Sequence, residues 1–184
     1  AAFLGVTLAA GSAVTITNTG LSPTGPLSIT ATDMIDSDRS IILNAPSLTL
    51  NTGLSSGNSQ VNTTATSGAL TTTSGNTLTI NKTDAGDFTV NSLTVASGSA
   101  NFVLNNGTVV LPTTVTVPNQ LTVTAADLSA TNITASDLLL RLSGGSADLS
   151  LNTNVDRADI SVTGRNVSLT ESSGLSIEDL DGDN

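Results

Sequence analysis

An all-β chain wound as a β-solenoid, with stacked rungs of about 21 residues, is the fold this sequence predicts, and three observations predict it. The first is a phrase said many times between Phe88 and Ile177. Phe88-Thr-Val90, Leu93-Thr-Val95, Val115-Thr-Val117, Leu121-Thr-Val123, Ile160-Ser-Val162 and Leu175-Ser-Ile177 each set a small hydroxyl residue between two apolar ones. In an extended chain alternate side chains take opposite faces, so the apolar pair turns inward and the Ser or Thr outward. The second is a period. Leu27 to Leu48, Phe88 to Val109 and Leu128 to Leu149 share one spacing, and Phe102 to Leu121 and Leu149 to Val167 are slightly shorter. Repeats of this size mark stacked units, each hiding its apolar face against its neighbours. The third is punctuation: Gly, Asn, Asp, Ser and Pro separate the phrases, and strong helix formers are rarely consecutive.

Taken in order, Ala1 to Ala10 (AAFLGVTLAA) is apolar but has no basic segment before it, and it reads as a first rung rather than the end of a signal sequence. Val14-Thr-Ile16 and Leu27-Ser-Ile29 follow, with Pro23 and Pro26 turning the chain between them. Asp33, Asp36, Asp38 and Arg39 make a polar insertion before Ile41-Ile-Leu43 and Leu48-Thr-Leu50. The stretch 51–76 is a Ser/Thr/Asn/Gly tract with few apolar anchors, expected as a looped-out or weakly filled part of a single solenoid domain over 1–184. Ala125 to Leu142 has some helical character through Leu138-Leu-Leu140, yet it also fits the strand phrase and is read as strand. Nine rungs of ~4.8 Å would make a rod on the order of 40 Å long. The alternative is a β-sandwich of hairpins. Against it, hairpin signals are scarce, with Asn106-Gly107 the only Asn-Gly pair, and Phe88 to Leu93 leaves no room for a reversal.

Composition narrows function before any motif does. The net charge is -10, and the five basic residues (Arg39, Lys82, Arg141, Arg157 and Arg165) are scattered, which disfavours nucleic acid and anionic membranes as partners. No apolar run approaches the ~20 residues of a spanning helix, so membrane insertion is not expected. Cys, His, Trp and Tyr are all missing. That removes disulfides, thiolate metal sites, the commonest general base and the aromatic platforms on which sugars stack. The expectation is a non-enzyme without cofactors, and the lack of Cys is in keeping with export.

Four groups of residues carry possible chemistry. Asp179, Asp181 and Asp183, alternating around Gly182, resemble the opening half of a calcium loop, against the plainer reading of a rung turn. Asp33, Asp36 and Asp38 form a second acidic cluster. Asp156 and Asp159 are the best carboxylate pair for acid and base work on a sugar, with Arg157 between them suggesting charge balance instead. Asn62, Asn81, Asn106, Asn132 and Asn166 each begin an Asn-X-Ser/Thr sequence open to glycosylation. Stacked threonines such as Thr71-Thr-Thr73 and Thr113-Thr114 are too irregular in sequence to read as an ice-binding face.

The run Leu138-Leu-Leu-Arg-Leu-Ser-Gly-Gly145, Ala147-Asp-Leu-Ser-Leu-Asn152, Ala158-Asp-Ile-Ser-Val-Thr-Gly164, Asn166-Val-Ser-Leu-Thr170 and Gly174-Leu-Ser-Ile177 resembles the filamentous haemagglutinin-like exoproteins of Gram-negative bacteria. The resemblance covers 78–184 well and 1–50 loosely, and it lies in composition and period rather than in an invariant motif. It implies a right-handed parallel β-helix, secreted to the cell surface by a two-partner system and acting as the shaft of an adhesin. The secretion domain of that family has no counterpart here. The implied partners are a host or neighbouring cell surface, or copies of the chain stacked end to end. The same pattern would suit a self-assembling filament or sheath subunit, and more distantly a tailspike or polysaccharidase β-helix.

Overall fold

The structure, a computed structural model, describes residues 6–11, 14–16, 23–31, 35–37, 41–53, 58–73, 77–145 and 147–183, with the backbone alone at 6–8, 15–16, 35–37 and 180–183. The described residues are all-β, and their strands are paired parallel. One sheet stacks seven strands: β1 (Val6–Ala10), β3 (Leu27–Ala31), β5 (Ser47–Thr52), β7 (Ser67–Thr72), β9 (Phe88–Val95), β11 (Thr108–Val110) and β13 (Asp127–Ser129). The other stacks β2 (Val14–Ile16), β4 (Ile35–Ser37), β6 (Ser59–Thr63), β8 (Thr77–Lys82), β10 (Ser99–Leu104), β12 (Thr114–Ala125), β14 (Asn132–Leu142), β15 (Leu149–Thr163) and β16 (Val167–Glu171). β16 pairs with the first part of β15, and β17 (Ser176–Asp183) with the part that follows. Because odd and even strands up to β14 fall in different sheets, the chain winds: this is a β-solenoid of about seven turns.

Apolar residues stand in columns through the rungs. Leu121, Leu138, Ala158 and Ile177 are successive partners in one column, and Val123, Leu140 and Ile160 in the next. A parallel sheet with one wet face keeps the period-two alternation that a doubly covered sheet would lose. Rung length is not constant: the step from Leu121 to its partner Leu138 is short, and the step from Asp36 to Gln60 is much longer. The turns absorb this difference. One consequence corrects a spacing expected from sequence: Phe102 stacks on Val123, while Leu121 stacks on Ala100.

From β12 onward the second-sheet strand lengthens and rounds a corner. Consecutive outward residues mark the corner in each rung: Pro118, Asn119 and Gln120, then Ser136 and Asp137, then Asp156 and Arg157. The Ser136 hydroxyl donates to the Pro118 carbonyl at 3.0 Å, tying one corner to the next. The region 125–142, read as strand despite its helical character, holds β13 and β14, with Leu128, Ile133, Leu138, Leu140 and Leu142 inward at the strand period.

Within 51–76, β6 and β7 occupy regular positions in the stack, and the interior there is polar. Thr52, Ser59, Asn62, Thr63 and Thr72 are buried alongside Val61, Ala65 and Leu70. Burial of polar groups is tolerable only when they are bonded. Thr63 Oγ1 donates to the Leu43 carbonyl at 2.8 Å and accepts the Ala65 N–H at 3.0 Å, and Asn81 Nδ2 donates to Asn62 Oδ1 at 2.9 Å. Ile41-Ile-Leu43, expected as a strand, contributes a single bridge from Leu43 to Thr63, with Ile41 and Leu43 inward and Ile42 facing out.

Candidate functional site

The concavities of the outer surface share one origin. In a pleated sheet the outward side chains form ranks two residues apart, and the backbone of the inward residue floors the groove between them. Three such grooves run along the solenoid axis. One of about 370 Å3 has walls of Asn132, Asn152 and Thr170 on one side and Thr134 and Asn154 on the other. A second, about 240 Å3, is lined by Asp137, Arg157, Asp159 and Glu178, and a third, about 410 Å3, includes Arg141, Asn105 and Thr124.

The charged groove holds Asp159, one member of the carboxylate pair singled out in the sequence. Arg141 grips Asp159 with both terminal nitrogens, at 2.8 and 2.6 Å, and these hydrogen bonds hold the Asp159 carboxyl below its ordinary range. A carboxyl kept ionised this way is a poor proton donor. Arg157 bridges rungs in the same manner, from Nε and Nη2 to the two oxygens of Asp137 at 2.6 and 2.7 Å and from Nη1 to Glu178 at 3.3 Å. The Asp137 hydrogen bonds are the first reason its own pKa is raised further. Asp156 stands exposed on the corner. Arg157 therefore balances charge along the stack, with Asp137 and Glu178 of other rungs and not with Asp156 and Asp159 beside it in sequence.

Asp179, Asp181 and Asp183 lie on β17, an extended strand paired with β15 through a register shift at Glu178, after which Asp179 stacks on Asp159, Asp181 on Ser161 and Asp183 on Thr163. The backbone here is strand, not the turn that wraps a calcium ion. Asp179 is exposed, and the side chains of Asp181 and Asp183 lie outside the described residues. Asp33 and Asp38 also lie outside them, and Asp36 is described by its backbone in β4. Among the described residues no group of three or more acidic side chains is placed to hold a metal ion.

The five Asn-X-Ser/Thr positions separate by environment. Asn62 is buried and accepts from Asn81, Asn152 donates to Asn132 at 3.0 Å, and Asn166 is bound to Asp148 at 3.1 Å. Asn106 sits exposed in the turn between β10 and β11, followed by Gly107 at a φ of 116°. A side chain at 107 would meet the Gly86 carbonyl of the turn below at 2.2 Å, so glycine is required for the turns to stack. The Asn-Gly pair thus links two sheets of a solenoid and makes no hairpin.

Three charged side chains escaped the sequence reading. Lys82 occupies an inward position, 1 % exposed, its amine bound to Asp84 at 2.6 Å and to the Thr64 carbonyl at 3.3 Å. Its place two residues after Ile80 was the available signal. Arg165 is 2 % exposed and threads the turn stack past Gly145 to Asp127, 38 residues earlier, while its Nε and Nη2 have no partner. Glu171 takes an inward position over Thr153. Its carboxylate accepts from the Thr153 hydroxyl at 2.8 Å and from the Ser172 and Ser173 amides at 2.9 Å each. Burial pushes this carboxyl up, but the hydrogen bonds together outweigh that and leave it below its ordinary value.

Corner carboxylates also tie rungs. Asp87 accepts the Thr108 N–H at 2.7 Å and Asp148 the Asn166 N–H at 3.2 Å, each satisfying the first amide of the next turn. No helix among the described residues is long and apolar enough to cross a membrane. Comparison with protein-family models, with curated proteins and with solved structures gave no match.

Proposed function

We propose that this chain is a structural shaft segment of an exported bacterial surface protein, projecting an adhesive part toward a host or neighbouring cell or running through a fibre. The observation that carries the reading is the unbroken parallel stack from β1 to β17, in which polar side chains serve mainly to bind one rung to the next. Each described Arg spends its guanidinium on such ties, and Asp159 is consumed in one of them. The work is mechanical: a stack of short ladders shares load over many parallel hydrogen bonds.

The same stack would serve a self-assembling filament or sheath subunit, the second reading. Ile177 belongs to an inward column yet is 54 % exposed, and Val167, Leu169 and Leu175 are only partly covered. An open ladder edge of this kind templates another strand. A further rung, of the same chain or of a second copy, would bury those side chains. Sedimentation velocity over a wide concentration range, with a glycan-degradation screen alongside, tests the proposal. A shaft gives one elongated species at every concentration and no turnover. Growth with concentration assigns the chain to end-to-end filaments instead, and glycan turnover would sink both readings in favour of a carbohydrate-active β-helix.

A further inference from the structure

One side of the solenoid carries two ranks of outward side chains that the shaft function does not use. In the lower rungs the first rank runs Ser28, Thr49, Ala69 and Ser92 through the registers of neighbouring strands. Its companion, two residues on, runs Thr30, Asn51, Thr71 and Thr94. β12, of the other sheet, lies against β9, and a second pair of ranks starts from it: Thr114, Asn132, Asn152 and Thr170, with Thr116, Thr134 and Asn154 beside them. Every position but Ala69 bears a hydroxyl or an amide. None is charged, although the chain carries a net charge of -10 and the neighbouring side presents Asp137, Arg141, Arg157 and Asp159.

The ranks are spaced by the fold itself: ~4.8 Å from rung to rung and ~6.6 Å between ranks. The groove of about 370 Å3 between them is floored by backbone. Asn132 donates to the Thr113 carbonyl at 3.0 Å and Asn152 to Asn132 at 3.0 Å, so the amides are held in fixed orientations before anything binds.

We propose that this uncharged face binds ordered water, and with it the surface of an ice crystal. A rigid two-dimensional array of hydroxyls and amides, at repeats comparable with the oxygen spacings on hexagonal ice, can anchor a water layer that merges with the lattice. Charges would disrupt such a layer, and the two ranks carry none; Glu171, at the end of the groove, has its carboxylate taken up by the Thr153 hydroxyl and the Ser172 and Ser173 amides. A second copy of the chain is the competing occupant. The face covers only on the order of 400 Å2, about half of what each partner contributes to a stable protein interface, and it lacks the aromatic and apolar centre of one.

The test is partition into slowly growing ice, with ice recrystallisation followed in parallel, for the full chain and for T116K and T134K, both on the face. T122K, outward on the neighbouring side of β12, is the control, and circular dichroism verifies that all variants fold. The expected result is incorporation of the unaltered chain and T122K, with at least a tenfold loss for T116K and T134K. Exclusion of the unaltered chain from ice overturns the proposal, as does equal loss in all three variants. A dimer that T116K and T134K dissociate, without ice partition, assigns the face to a second copy and overturns it as well.

Discussion

Gly68 stands in an inward column between Leu48 below and Val90 above, and the ring of Phe88 fills the room it leaves. A Cβ built at Gly68 would lie 2.9 Å from Phe88 Cζ and 3.3 Å from Leu70 Cδ2. The ring has little freedom to withdraw: it is fully buried and packs at 6.4 Å against Phe102, tilted by 37°. Overfilling a packed core costs about 1–3 kcal/mol, while replacing Gly by Ala where the backbone allows it returns about 0.4–1 kcal/mol by restricting the unfolded chain. Gly68→Ala is therefore expected to destabilise by about 1–2 kcal/mol, read as a lower urea midpoint at unchanged slope. Phe88→Leu removes the offending ring tip. In that background Gly68→Ala should be neutral or stabilising, giving a coupling of about 1–3 kcal/mol in a double-mutant cycle. Equal cost of Gly68→Ala in both backgrounds would refute the argument that Gly68 exists to seat Phe88.

Lys82 is the sole lysine and is buried, so an amine-reactive reagent should spare it in the folded protein and modify it as urea opens that rung, which peptide mass mapping follows directly. Asp84→Ala leaves the buried ammonium with the Thr64 carbonyl alone and should cost about 1–3 kcal/mol, whereas Lys82→Met, which removes the charge with its partner's task, should cost less. Glu171 has a carboxyl pKa depressed in the fold, so its contribution is present above the unfolded value of about 4.5 and is lost as pH falls through the lower folded value. Hydrogen exchange at Thr153 to Val155 and in β16 should accelerate over that acidic range, and Glu171→Gln should abolish the pH dependence while leaving the rung weaker throughout. In a host that glycosylates Asn-X-Ser/Thr sequences, intact mass and peptide mapping should place any glycan at Asn106, with Asn62 unmodified because its amide is buried and bonded.

Much of the fold was legible in the alternation of residues. The phrases Leu121-Thr-Val123 and Ile160-Ser-Val162 name their inward members without reference to any neighbour, since the side-chain period of a strand is two. Composition likewise removed whole classes of chemistry, because no arrangement of this chain supplies an imidazole or a thiolate. Lys82 was legible in principle from its parity with Leu78 and Ile80. It was missed because charge outweighs position in a reading by residue type, and the compensating Asp84 and Thr64 carbonyl belong to the turn and to another rung.

The sequence by itself determined that the chain is extended, which residues of each strand turn inward, and that turns of polar residues separate the strands. Only the tertiary structure decided which strand lies on which. Rungs of unequal length cannot be laid over one another by counting, so Phe102 found Val123 and not Leu121, and Arg165 reached Asp127 across two turns. The threonines and asparagines look irregular along the chain for the same reason. Side chains that neighbour one another at ~4.8 Å across rungs are a whole rung apart in sequence, and the variable turns that bring them into rank leave no fixed spacing to read.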